Sequence, residues 1–297
     1  MPIVTCAALA LALANPASSG SFTLGEDCGP GQAPTQPAAL LVPVRFEQPV
    51  TVKAGSHQVA GLAIIGGGNL LWRGGRIVAP GGSPDRTSSG PRFYGVLISR
   101  ATNVVLDTVD LSAARKAVVV DRSDGVTLQA SRCSGLVEDC MIVSASRSIR
   151  FINNDVRDLR PVPTLCQRGD SSSQGESRRQ CTASGGQWQD GWHSDVLQMR
   201  DGVADVVASG NRIVTTSHGL TQMDGVGDRP LADVRLENNR IASGRNGITL
   251  TSCAGCRISG NRLTTAVAGW RSVIRPGQAI SCGNDVPDGG PGREKCQ

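Results

Sequence analysis

The chain has 297 residues, a formal net charge of +5, 37 glycines and only 3% aromatic residues. Its longest apolar run, residues 3–14, is shorter than the ~18 residues that span a bilayer, so a membrane span is excluded. Nucleic acid is not an expected partner, because basic runs and stacking aromatic residues are lacking. A core with so few large aromatics is expected to consist of small residues in repeated layers.

The N-terminal segment, residues 1–21, predicts a signal peptide. It has an apolar stretch followed by small residues, as secretory signals do, although the usual basic start is missing. A buried first helix is the alternative. The signal predicts a secreted or periplasmic protein whose mature domain covers residues 22–297.

Seven short segments between residues 69 and 263 share one apolar pattern and end on an equivalent apolar residue. Successive end positions are 34, 22, 23, 57, 28 and 22 residues apart, and a minimum step of 22 with insertions is typical of a solenoid. The end positions are Ile77, Leu111, Cys133, Val156, Ile213, Ile241 and Leu263.

A second set of short segments runs between the first ones with the same period. Both sets are β-branched and alternate in polarity, so they predict strands that pair with their equivalents one coil away, about 4.8 Å distant. Asn154, Asn211, Asn239 and Asn261 then form a structural amide ladder. The first apolar residues of the second set are taken as Val96, Val118, Met141, Val196, Leu220, Ile248 and Ile280.

These two columns resemble the right-handed parallel β-helix superfamily of pectate lyases, alginate lyases and epimerases, polygalacturonases and phage tailspikes. The resemblance covers about residues 55–283 and implies an all-β solenoid of about 7–8 coils. An N-terminal cap over about residues 22–54 and a C-terminal tail, 284–297, complete one domain, which we expect to be a monomer. The resemblance is specific for fold and weak for activity.

The 57-residue step contains one coil plus an insertion, about residues 158–192, and long insertions in solenoids commonly carry function. Cys166 and Cys181 are predicted to staple this insertion, and Cys282 and Cys296 to close the tail, as disulfides of an oxidising compartment. Cys28 is the candidate for an unpaired cysteine. Four others either pair or fill the core, with zinc as an alternative for the last two: Cys133, Cys140, Cys253 and Cys256.

The insertion returns through QWQDGWHSDVLQMRD, residues 187–201, which contains two of the four Trp and one of the three His. Exposed Trp faces suit the apolar faces of sugar rings, although both Trp could instead form the insertion's own core. The hexapeptide HSDVLQ, residues 193–198, resembles an H-x-D-x-x-Q element of secreted bacterial β-helix proteins that are presumed to act on polysaccharides. The resemblance implies an acidic polysaccharide as partner.

Residue parity gives a first picture of the site. If Val196 points inward, His193 and Asp195 point outward, with Asp195 exposed beside a column of small residues. Gln198 and Gln222 then form a buried amide ladder, and Tyr94 lies four or five coils away. The column predicted around His193 is Arg115, Glu138, His193, Ser217 and Arg245.

This column predicts cleavage of a uronic-acid polymer by β-elimination, or epimerisation at C5. His193 serves as the base, oriented by Asp195 or Glu138, and Arg or Ca²⁺ neutralises the substrate carboxylate. No other cofactor is indicated. The predicted catalytic residues are His193, Asp195, Glu138 and Asp190; the predicted substrate-binding residues are Arg115, Arg245, Trp188, Trp192, Arg200 and His218.

Two other functions remain open. A hydrolase needs two carboxylates about 5–9.5 Å apart, for which Asp190, Asp195 and Glu138 are candidates. The Asp-Asp and Asn-Thr-Asp motifs expected of polygalacturonases are missing from the sequence. The remaining alternative is a non-catalytic glycan-binding or structural β-helix.

Overall fold

The computed structural model of the chain describes most of the molecule. The described residues are 1, 3–25, 40–81, 90–159, 165–169, 171–174, 178–189, 194–223, 229–244, 246–267 and 271–287. Within these ranges the chain is mostly β-strand, as the all-β prediction requires.

The helices are α1 (Cys6–Leu13), a 3-10 helix (Pro91–Phe93) and α2 (Arg178–Ala183). The strands before the insertion are β1 (Ile3–Val4), β2 (Gly20–Leu24), β3 (Leu40–Val42), β4 (Arg45–Ala60), β5 (Leu62–Ile65), β6 (Gly68–Val78), β7 (Tyr94–Ser99), β8 (Thr102–Asp107), β9 (Asp110–Ser112), β10 (Lys116–Asp121), β11 (Asp124–Gln129), β12 (Arg132–Leu136), β13 (Met141–Ser144), β14 (Arg147–Ile152) and β15 (Asp155–Leu159). The strands within and after it are β16 (Leu165–Arg168), β17 (Ser171–Gln174), β18 (Gln187–Gln189), β19 (Asp195–Arg200), β20 (Ala204–Ser209), β21 (Arg212–Val214), β22 (His218–Gln222), β23 (Leu231–Glu237), β24 (Arg240–Ser243), β25 (Asn246–Thr249), β26 (Cys253–Ala254), β27 (Arg257–Ser259), β28 (Arg262–Thr265), β29 (Val273–Arg275) and β30 (Ile280–Cys282).

The strands stack in register as a parallel β-helix with three faces. The first face is a nine-stranded sheet within the described residues, in the order β3-β5-β7-β10-β13-β19-β22-β25-β29. The second face includes β8, β11, β14, β20, β23, β27 and β30. The third face contains β9, β12, β15, β21, β24 and β28.

The predicted column of end positions is confirmed. Each residue of that column, from Ile77 to Leu263, pairs with the next one along the third face. All seven side chains are buried in one continuous core with the inward residues of the other faces. The small-residue composition therefore reflects layers that repeat once per coil.

The predicted asparagine ladder is also confirmed, and it is longer than predicted. The side-chain amide of Asn154 donates to the Oδ1 atom of Asn211 at 3.1 Å, Asn211 to Asn239 at 2.8 Å, and Asn239 to Asn261 at 2.9 Å. Asn284 adds a fifth rung at 2.9 Å from Asn261. Each of the five amides also donates to a backbone carbonyl, so the ladder fixes the turn between the second and third faces.

The apolar N-terminal segment forms helix α1, which contacts β2 and β3 at one end of the solenoid. Leu9 and Leu13 are fully buried there, while Leu11 is 76% exposed. This placement corresponds to the buried first helix considered as the alternative to a signal peptide. In this position the helix covers the edges of the first strands, which would otherwise be open.

The described part of the insertion forms a small lobe, and its predicted disulfide is confirmed. Strands β17, β16 and β18 form an antiparallel sheet, and Cys166 is bonded to Cys181 of α2. Two further disulfides join Cys133 to Cys140 and Cys253 to Cys256, so the zinc alternative is wrong for the last pair. Among the described residues no cysteine is free; Cys282 is disulfide-bonded, whereas Cys28 and Cys296 lie outside the described residues.

Two positions of the second predicted column are wrong. Leu197, not Val196, pairs with Met141 and Leu220 on the first face. Ile280 belongs to β30 of the second face, and its place on the first face is taken by Ile274 of β29. The shift at β19 changes the candidate site, because one residue of register moves every side chain to the other face.

Candidate functional site

Five titratable residues occupy the same position on five successive strands of the first face. Tyr94 pairs with Lys116, and Asp195 pairs with His218. The pairing of Met141 with Val118 and Leu197 places Asp139 between these two pairs. We call this set the titratable column: Tyr94, Lys116, Asp139, Asp195 and His218.

The column lies on the outer side of the sheet, at the start of its strands. Leu197 and Leu220 point into the core, so their neighbours Gln198 and Thr221 point outward. The Asp195 carboxylate bonds to both of these outward side chains and therefore lies on the same side. Tyr94 belongs to this column but lies three strands from Asp195 and four from His218, so it stays remote from that pair, much as predicted.

The prediction that Asp195 is exposed beside small residues is wrong. Its aligned neighbours are Asp139 and His218, and its side chain is fully buried. Val196 and Leu197 are both fully buried in the core at the start of this strand. Simple alternation fails at that point, and the predicted outward column is displaced by one residue.

In the N-terminal half of the column, Lys116 and Asp139 form a charged cluster with their sequence neighbours Arg115 and Glu138. Arg115 Nη2 lies 2.8 Å from Glu138 Oε1, and Lys116 Nζ lies 3.3 Å from Glu138 Oε2. Lys116 Nζ is also 3.6 Å from Asp139 Oδ2. The ammonium group is thus held between two acids, with 19% of its side chain exposed.

The C-terminal half is an aspartate–histidine pair. Gln198 Nε2 donates to Asp195 Oδ2 at 2.8 Å, and Thr221 Oγ1 donates to Asp195 Oδ1 at 2.7 Å. His218 Nδ1 lies 3.3 Å from the same Oδ1, with 17% of its side chain exposed. These contacts fix the carboxylate and orient the imidazole, as in catalytic pairs where the acid acts through the histidine.

The two halves meet at Asp139. Its Oδ1 atom accepts the backbone N–H of Asp195 at 2.9 Å. Burial, and next the negative charge of Asp195, raises the pKa of Asp139 to about 7, although Lys116 acts in the opposite direction. A carboxyl group whose pKa lies near neutral pH can both donate and accept a proton, so it is suited to proton transfer.

Several predicted site residues fall in different places. Arg115 and Glu138 align with Ser194 and Ser217, not with His193. Arg200 ends β19 and is exposed. Trp188 lies in β18, but its side chain is outside the described part. The remaining predicted residues lie outside the described residues: Asp190, Trp192, His193 and Arg245.

The predicted amide ladder of Gln198 and Gln222 is wrong. Gln198 pairs in register with Thr221 and bonds to Asp195, whereas Gln222 pairs with Met199. The Gln222 side chain instead holds the backbone of residues 251 and 252. One glutamine therefore belongs to the site and the other to the adjoining turn.

Lys116 and Asp139 were missed by the sequence reasoning, yet a signal for them exists. Each titratable residue stands two positions before a buried apolar residue, with a small or apolar residue between them. The pattern appears in Lys-Ala-Val at 116–118, Asp-Cys-Met at 139–141, Asp-Val-Leu at 195–197 and His-Gly-Leu at 218–220. Aligning on the titratable residue would have given the observed register.

Within the described ranges, no group of three or more His, Cys, Asp or Glu residues is placed to hold a metal ion. The expected role of Ca²⁺ therefore stays a prediction. No helix among those residues is long and apolar enough to cross a membrane.

The fold and the site define the class of protein: a disulfide-bonded parallel β-helix with the titratable column on one face. No protein-family model matches the chain, and no curated protein matches it. Among solved structures, the chain is similar to the crystal structure of PfbA, a surface adhesin of Streptococcus pneumoniae. The TM-score is 0.35 at 11% identity, over 90% of this chain and 82% of that chain.

Proposed function

We propose that the chain is a secreted, carbohydrate-active lyase that cleaves a uronic-acid-containing polysaccharide by β-elimination. The observation that carries this proposal is the titratable column, which joins a cation, a buried acid and an aspartate–histidine pair on one face. The disulfides of Cys133 with Cys140, Cys166 with Cys181 and Cys253 with Cys256 support the secreted location, because such bonds persist in oxidising compartments.

The proposed reaction uses three side chains of the column. Neutral His218, donating its Nδ1–H to Asp195, takes the C5 proton at Nε2. The Lys116 ammonium stabilises the negative charge that develops on the C6 carboxylate. The C5–H electron pair forms the C4–C5 double bond as the C4–O bond breaks, and a solvent water protonates the departing oxygen. Tyr94 is too far away to do so, because it lies four strands from His218 at about 4.8 Å per strand.

The burial of Asp195 favours this reaction over hydrolysis. Both of its oxygens are occupied by Gln198, Thr221 and His218, so Asp195 positions the histidine and does not contact the sugar. A hydrolase remains the second candidate because Asp139, whose pKa is raised, and the neighbouring Glu138 are two carboxylates that do not position the histidine.

The purified chain, incubated with polygalacturonate and alginate, is expected to release an unsaturated product that absorbs near the ultraviolet edge. His218→Gln should lower the rate by about 100-fold, the usual scale of a general base. Lys116→Met should also lower it strongly. The matched controls, His57→Gln and Lys53→Met, change the same residue types on β4 and should retain the rate within about twofold.

His193 lies outside the described residues, so its predicted role as the base stays a prediction. The sequence-based assignment, in which His193 is the base, predicts that His193→Ala abolishes turnover while preserving the thermal transition. If His193→Ala is inactive and His218→Gln is fully active, the assignment of the base to His218 is wrong. New reducing ends without ultraviolet absorbance would replace the lyase by a hydrolase, and no product from either polymer would refute both.

A further inference from the structure

The third face carries a second column of charged residues, away from the titratable column. Its members are aligned strand by strand at one outward position per coil. Their charges alternate along most of the solenoid. In order, the residues are Arg76, Asp110, Arg132, Asp155, Arg212, Arg240, Arg262 and Asp285.

The alternation breaks at three consecutive arginines, Arg212, Arg240 and Arg262. Directly opposed like charges destabilise a sheet, and here three guanidinium groups leave adjacent strands about 4.8 Å apart. Within the described part of the chain, Arg212 and Arg240 form no ion pair, and Arg262 has only Asp285, at 3.5 Å. Asp155, the neighbour of Arg212, is paired with Arg157 of its own strand instead.

These arginines border a groove on the outer surface of β21, β24 and β28. The groove has a volume of about 810 Å³. Beside the arginines runs a second outward column of small and apolar residues, Val214, Ala242 and Thr264. Val214 is 42% exposed. The groove thus offers a cationic edge and an uncharged floor, both running along the solenoid axis.

We propose that this groove binds an acidic polysaccharide chain, whose carboxylates pair with Arg212, Arg240 and Arg262. The choice of ligand rests on the proposed function, whereas the binding itself needs no turnover. Guanidinium groups bind carboxylates in bidentate fashion, and an anion would offset the repulsion among the three arginines.

The lining favours a polysaccharide over a single-stranded nucleic acid. Single-strand binding relies on aromatic side chains that stack on bases, and the residues bordering the groove include none. Sugar rings instead present C–H faces that can pack on Val214 and Ala242. The groove also lies on the face that directly precedes the first face in each coil, so a long polymer can contact both surfaces.

The test is binding of a fluorescent galacturonate hexamer to full chains that also carry His218→Gln, which prevents turnover. Arg240→Gln should weaken binding about 10-fold, the scale of one charge-assisted contact. Arg132→Gln is the matched control: the same residue type in the same column, but flanked by Asp110 and Asp155. It should bind within about twofold of the parent, and the thermal midpoint reports the folding of each variant.

Equal affinity of the folded Arg240→Gln and Arg132→Gln variants would refute the proposal, as would a lack of binding by the parent. Tighter binding of an oligothymidylate of equal charge would refute the choice of polysaccharide. Arg240-dependent binding without any cleavage by the unmodified chain would refute the proposed reaction and leave this groove assigned. Cleavage by the unmodified chain, with no effect of Arg240→Gln on binding, would support the proposed reaction and refute the binding groove.

Discussion

Asp139 and Asp195 bring two carboxylates together on adjacent strands with almost no contact with water. The arrangement is tolerable because each acid has specific partners: Lys116 and a backbone N–H for Asp139, and Gln198 with Thr221 for Asp195. Because their partners differ, the two carboxyl groups have different chemical roles. Asp139 is the acid that holds a proton near neutral pH.

This separation makes stability depend on pH in a defined direction. The pKa of Asp139 rises from the ordinary 3.8 to about 7, so between these values the folded chain binds a proton that the unfolded chain has lost. Stability contributed by this group falls as pH rises from about 4 to about 7, by about 4 kcal/mol at 1.36 kcal/mol per pKa unit. Asp139→Asn should remove that fall while keeping an oxygen for the Asp195 N–H.

Urea unfolding at pH 5 and pH 8 measures the effect. The wild-type chain should lose more stability between these values than Asp139→Asn does. Asp124→Asn, which removes an exposed carboxylate paired with Arg147, controls for the loss of one charge. The same pH dependence in Asp139→Asn and the wild type would show that the acid titrates normally.

The site was only partly predictable from sequence, for reasons visible at single residues. Arg115 and Glu138 were identified by following the coil period from His193, and Asp195 and His218 because they lie at predicted strand starts. Their mutual register was not, since Val196 and Leu197 are both buried and apolar spacing alone cannot choose between them. The insertion within the 57-residue step interrupts the repeat, which would otherwise have fixed the register of this strand.

At the scale of elements, the asparagine ladder is the clearest stabilising unit. Asn211 makes four hydrogen bonds in a fully enclosed position: two from Asn154, one to the Phe151 carbonyl and one to Asn239. Asn211→Ala removes these four buried side-chain bonds, so the free energy of unfolding should fall by about 3–4 kcal/mol at ~1 kcal/mol per bond.

The end of the ladder supplies the control. Asn284 makes similar bonds but is partly exposed, so water can replace them. Asn284→Ala should cost about 1 kcal/mol by the same reasoning. Chemical denaturation of both variants tests the difference, and equal losses would mean that the ladder is no more important inside the solenoid than at its end.

Whether the whole molecule associates with other copies depends on how the first strands of the stack are covered. Leu9 and Leu13 hold α1 against β2 and β3, and an uncovered end of a sheet is a template for pairing with another chain. In the full chain, Leu9→Asp should therefore produce oligomers detectable by light scattering. Leu11→Asp, on the exposed side of the same helix, should remain like the wild type; oligomers in both variants would argue against a capping role.

The fold was more predictable than the site because its repeat pattern occurs many times along the chain. Seven aligned end positions and four asparagines give the same period independently, so an error in one coil is corrected by the others. The last coil shows the limit: Ile280 lies 17 residues beyond Leu263 and was assigned to the wrong face.

The alternating charges on the third face also restrict how such a chain can change its length. Deleting the coil that contributes Arg132 would set Asp110 directly beside Asp155, and deleting the coil of Asp155 would join Arg132 to the arginine run. Deleting both coils together keeps opposite charges in contact, since Asp110 then meets Arg212. Through this part of the molecule, repeats are expected to be gained and lost in pairs.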